Sequence, residues 1–74
     1  MTNTITTATE ARAYIREAIR INGKDAILDE VVRFNNTVDN DIDEDGDVWV
    51  CDPQVGHWLD DDKLVNFANF LAAQ

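Results

Sequence analysis

The chain reads as a small single α+β domain of 74 residues in the order ααββα, a two-stranded antiparallel hairpin packed with three helices. Three observations predict this. Apolar residues recur at helical spacing in three stretches, each flanked by residues that start or stop helices. Between the second and third stretches stand two short β-favouring runs separated by a proline and a glycine. No repeat or linker divides the chain.

The elements follow in order. Residues 1–7, mostly threonine, are expected to form a flexible N-terminus. Thr7-Ala8-Thr9-Glu10 fits a capping box, in which a threonine hydroxyl caps the opening amides and the glutamate reaches back. A first helix from about Ala8 to Asn22 follows, with Ala8, Ala11, Ile15, Ala18, Ile19 and Ile21 approximating one stripe. Gly23 sits where a left-handed terminator is wanted. Asp25 can cap a second helix from Ala26 to about Asn36, whose apolar face is Ile27, Leu28, Val31, Val32 and Phe34. The short connection from Asn22 to Lys24 forces a hairpin or corner between the two helices.

Residues 39–47 hold only Ile42 among acids, asparagine and Gly46, which is loop chemistry. Val48-Trp49-Val50-Cys51 and His57-Trp58-Leu59 then read as a hairpin. Asp52 accepts a turn amide, Pro53 presets the next dihedral, and Gly56 takes the positive φ that closes the turn. Pairing Cys51 with His57 would place Trp49 and Leu59 on one face and Trp58 with Val48 and Val50 on the other. Both tryptophans would line the core, or one exposed indole would serve as an aromatic anchor. Asp60 or Asp61 caps a third helix running to about Ala73, with Leu64, Val65, Phe67, Ala68, Phe70 and Leu71 facing the core.

Size and composition narrow the function. A chain this short hides only about 60% of its unfolded surface, so its stability margin is thin. Its single cysteine, Cys51, excludes an internal disulfide. One thiol and no charged-then-apolar leader point to a cytoplasmic protein, in a host cell's cytoplasm if phage-encoded. No apolar run approaches the roughly 20 residues a bilayer requires, and a net charge of −9 opposes both anionic membranes and direct nucleic-acid contact.

That charge is segregated. Residues 1–33 carry five acids and five bases, whereas residues 34–74 carry ten acids and only Lys63, so the second half holds the whole net charge of −9. The acids fall in two clusters, Asp39, Asp41, Asp43, Glu44, Asp45, Asp47 and then Asp60, Asp61, Asp62, with Asp52 between them. Crowded like charges lower stability, so something must compensate. The basic ridge of Arg12, Arg16 and Arg20 reads as solvated or paired with Glu17 and other acids. Contact between that ridge and another copy's acidic loop leaves a homodimer open.

Asp41, Asp43, Asp45, Gly46 and Val48, with Asp52 in the twelfth place, resemble an EF-hand-like or dockerin-like calcium loop. The resemblance covers twelve residues and implies Asp41, Asp43, Asp45, Asp47 and Asp52 as calcium ligands. The β-favouring run after Gly46 stands where that family places its exiting helix.

The same acids can instead stand in for nucleic-acid phosphates, since a groove lined by lysine and arginine accepts carboxylates at similar spacing. Small size, extreme acidity and absent catalytic motifs resemble phage- or plasmid-borne inhibitors of host defence nucleases, the DNA-mimic and anti-CRISPR class. The resemblance is of type, with no defining motif. It implies a non-catalytic inhibitor or modulator that presents Asp39, Asp41, Asp43, Glu44, Asp45, Asp47, Asp60, Asp61 and Asp62 to a basic, nucleic-acid-binding partner, anchored by Trp49 or Trp58, and it implies no cofactor. A structural subunit contacting its assembly through apolar helix faces is the remaining alternative. Catalysis finds little support: His57 and Cys51 lack an orienting third group, and one Cys with one His is too few for zinc.

Overall fold

A computed structural model describes residues 4–52 and 54–74. The order is α1 (Ala8–Asn22), α2 (Lys24–Asn35), β1 (Asn40–Ile42), β2 (Val48–Asp52), β3 (Val55–Trp58) and α3 (Asp61–Ala72). The α+β class and the ααββα order hold, with one short strand added ahead of the hairpin.

The helix ends follow side-chain chemistry. The Glu10 amide donates to the Thr7 hydroxyl at 3.1 Å, and the Glu10 carboxylate accepts from the Thr7 and Thr6 amides, both at 3.2 Å. These bonds hold the Glu10 carboxyl below its usual range, the Thr6 amide contributing most. Gly23, at φ 92°, ends α1 and also opens α2, its amide donating to the Ile19 carbonyl at 2.8 Å. The expectation that Asp25 caps α2 is therefore corrected: the glycine leaves no room for an intervening loop, so Asp25 lies inside the first turn. Asn36 closes α2 in the left-handed region, at φ 58° and ψ 39°. The Lys63 amide donates to Asp60 at 2.9 Å, making Asp60 the cap of α3.

Ile5 exchanges two hydrogen bonds with the Asn69 side chain of α3, at 2.8 and 2.9 Å. Met1, Thr2 and Asn3 lie outside the described residues.

The segment 39–47, read as loop, contributes β1. Asn40 accepts from the buried Thr37 hydroxyl at 2.6 Å and donates to the Thr37 carbonyl at 2.6 Å, which turns the chain out of α2. Ile42 is then buried against α2 and the sheet. The sheet runs β1-β2-β3, all antiparallel.

The hairpin register is one residue off the expected one: Cys51 lies opposite Gly56, Val50 opposite His57 and Trp49 opposite Trp58. Residues 53–54 alone connect the strands, so Gly56 belongs to β3 and does not close the turn with a positive φ. The role expected of Pro53 lies outside the described residues.

Directly opposed residues share a face, and successive residues of a strand face opposite ways. Val48 and Val50 are buried while Trp49 and Cys51 are half-buried, so the helices cover the valine face. Both tryptophans therefore lie on the outer face and neither belongs to the core, and Trp58, 52% exposed, is the exposed indole of the second alternative.

The core is Ala11, Ile15, Ile27, Val31, Ile42, Val48, Val50, Leu59, Leu64, Phe67 and Ala68. Phe34 meets Phe67 and Phe70 at ring separations of 5.3 and 5.5 Å, closing the space between α2 and α3. Among the described residues no helix is long and apolar enough to cross a membrane.

Candidate protein-binding surface

The acidic loop between β1 and β2 is built around Asp43 and Gly46. The Asp43 carboxylate accepts from the amides of Asp45 at 3.0 Å and Asp47 at 2.9 Å. Backbone bonds close the same turn, from Asp43 to the Asp47 carbonyl at 3.0 Å and from Gly46 to the Asp43 carbonyl at 3.1 Å. Gly46 is buried at φ 93°, and a Cβ there would sit 2.6 Å from the Arg12 carbonyl oxygen. The loop thus rests directly on the backbone of α1, where only glycine fits.

Side chains of α1 and α2 bind what the backbone brings close. Arg12 donates through Nε to Asp47 at 2.9 Å and through Nη2 to Asp61 at 3.4 Å. One guanidinium therefore joins the two acidic clusters, which lie on different elements and become a single surface. Asp47, foremost through its hydrogen bond, raises the pKa of Arg12. Arg16 donates to the Asp45 carbonyl at 2.7 Å, and Lys24 pairs with Asp41 at 2.7 Å. The Lys24 contact is the main reason the Asp41 carboxyl is held below its usual range. Arg20 pairs with Glu17 within α1.

The remaining acids face outward. Asp39, Glu44, Asp45 and Asp62 are exposed, and no cation among the described residues lies within ion-pairing distance of their carboxylates. Asp60 is spent on capping α3. Of the tryptophans, Trp49 is half-buried and Trp58 is 52% exposed.

The five ligands expected of the calcium loop are not brought together. Asp43, Asp45 and Asp47 bring one oxygen each within 4.8 Å of one another, a hard-cation donor set. Asp43 and Asp47, however, already serve the loop amides and Arg12. Asp41 is tied to Lys24, and β2 carries Asp52 away to the far end of the strand, where its carboxylate lies 3.3 Å from His57 Nε2. The strand that replaces an exiting helix is what separates the expected ligands. Cys51 and His57 occupy adjacent rungs of the hairpin and so project to opposite faces, which removes them as a nucleophile and base pair.

Sequence reading found the acids and underrated the cations that organise them. The four-residue spacing of Arg12 and Arg16 was the available signal, because it places both on one face of α1. Comparison of the chain with protein-family models, with curated proteins and with solved structures finds no match.

Proposed function

We propose that this protein is a non-catalytic inhibitor or modulator that presents an acidic surface to a basic, nucleic-acid-binding partner, as a mimic of nucleic acid. One observation carries the reading: Arg12 joins the loop acids to the α3 acids, so carboxylates 14 positions apart at Asp47 and Asp61 share one guanidinium. The whole net charge of −9 arises in the half of the chain that contains this surface. A face serving only solubility requires charge but no fixed arrangement of it. Defence nucleases of a host cell are a partner class with the required basic grooves.

The test uses four acids whose carboxylates make no hydrogen bond or ion pair among the described residues. Asp39→Asn, Glu44→Gln, Asp45→Asn and Asp62→Asn together remove four negative charges and leave Asp43, Asp47 and Asp60 in their loop and cap roles. Wild type and variant are used to capture proteins from host lysate, washed in low and high salt and with duplex DNA as competitor. Capture of nucleic-acid-binding proteins that DNA and salt displace, and that the variant loses, supports the reading. Equal capture by the variant sinks it.

A further inference from the structure

The outer face of the sheet carries a row that the helices leave uncovered. Asp41, Trp49 and Trp58 lie directly opposite one another on β1, β2 and β3 and therefore project to the same side. Strand spacing puts Asp41 about 10 Å from Trp58 across the row. On the other flank, Asp60 follows Trp58 by two residues, which keeps their backbones within about 7 Å. Trp49 is seated: a Cβ on Gly56 would fall within its indole, with Nε1 at 2.8 Å, so the ring occupies the space beside the bare glycine. Trp58 stands at the sheet edge, 52% exposed; of the acids on its two sides, Asp41 pairs with Lys24 and Asp60 caps α3, each through Oδ1.

We propose that this row is a receiving platform for an arginine side chain of the partner's basic segment, stacked on Trp58 and reaching a flanking carboxylate. The proposal rests on the acidic-surface reading and names the contact that would give it specificity. A guanidinium is planar, so it stacks on an indole while its edge donates to a carboxylate; a lysine ammonium is compact and strongly hydrated and does both less well. Charge selects the occupant, since a second copy would bring its own net charge of −9 to the face.

The chain's only tryptophans are Trp49 and Trp58, so tryptophan fluorescence, excited selectively over Tyr14, reports on this face. Hexa-arginine and hexa-lysine peptides of equal charge are titrated at low salt into the full chain, Trp58→Ala, Trp49→Phe and the four-acid variant described above. The expected result is several-fold tighter binding of hexa-arginine than of hexa-lysine, with an emission change that Trp49→Phe retains. Trp58→Ala should weaken hexa-arginine about tenfold and bring the two peptides level. Equal affinity of both peptides for the wild type overturns the platform, as does hexa-arginine binding unchanged by Trp58→Ala. If binding then still fails in the four-acid variant, the acidic-surface reading stands without the platform. Wild-type protein that binds neither peptide overturns both.

Discussion

Gly56→Ala offers a test in which the general rule and this structure predict opposite signs. Glycine within a strand is ordinarily a weakness, and replacing it with alanine gains about 0.5–1 kcal/mol by restricting the unfolded chain. The backbone at Gly56 is not in the left-handed region, so nothing local forbids alanine. What forbids it is across the strand, because the added methyl would occupy the Trp49 ring. The indole lies on an outer face and can swing away, at the expense of its contact with β3. A tryptophan buries roughly 150–250 Å² in full. Losing about half of that, at about 25 cal/mol per Å², costs roughly 2–3 kcal/mol as an upper bound. Net of the glycine gain, the variant should be about 1–2 kcal/mol less stable. A domain of this length holds about 4–11 kcal/mol in total, so the loss is a large share and corresponds to roughly 4–16 °C in Tm. Urea unfolding followed by far-ultraviolet circular dichroism measures it independently of the displaced indole, and tryptophan emission should shift to the red. A variant at least as stable as wild type, with unshifted emission, would refute the packing of Trp49 on Gly56.

Gly46→Ala should cost more, about 2–5 kcal/mol, since it combines a positive φ with a clash against the Arg12 backbone, which cannot swing aside; thermal unfolding decides. Asp43→Ala strips two loop amides of their acceptor and should cost about 1–3 kcal/mol, whereas Asp43→Asn keeps an acceptor oxygen and should cost less, a ranking that urea titration reads directly. Glu10 and Asp41 both titrate below their usual range in the folded protein, so their contribution is complete above their unfolded pKa and is lost as pH falls through the folded values. The stability gap between wild type and Glu10→Ala should accordingly be widest at neutral pH and close below about pH 4, as thermal melts across that range would show.

The helices were legible because their ends are written in single residues. Thr7 with Glu10, Gly23, Asn36 and Asp60 each act on neighbours within four positions. The sheet was less so. β1 has one buried apolar residue, Ile42, among polar neighbours, and its strand character comes from pairing with β2 rather than from composition. The register hinged on Gly56, which has the look of a turn residue and instead makes room for Trp49. A one-residue slip exchanges the faces of a strand, which is why Trp58 was expected on the face of Val48 and Val50 and lies instead opposite Trp49. The acidic clusters were plain in the sequence, but their union was not. It depends on Arg12 reaching partners 35 and 49 residues away, and no local pattern encodes that.

The way the acids are held bears on their use. Repulsion among them costs stability, and the fold offsets it with cations from the neutral half: Arg12, Arg16 and Lys24 lie against the loop and its neighbours. These cations do not mask the surface, because Asp39, Glu44, Asp45 and Asp62 remain exposed and without a cation among the described residues. Gly46 seated on α1 and Asp43 closing the turn fix the loop backbone, so the outward Glu44 and Asp45 stand on an ordered loop, and Asp62 stands on α3. A charged tail that only solubilises gains nothing from such order. A ligand for a rigid basic groove does gain, since charges already in position lose little freedom on binding. The salt dependence of association should then follow the four outward acids, and the choice of arginine over lysine should follow Trp58, which separates the two contributions in one set of titrations.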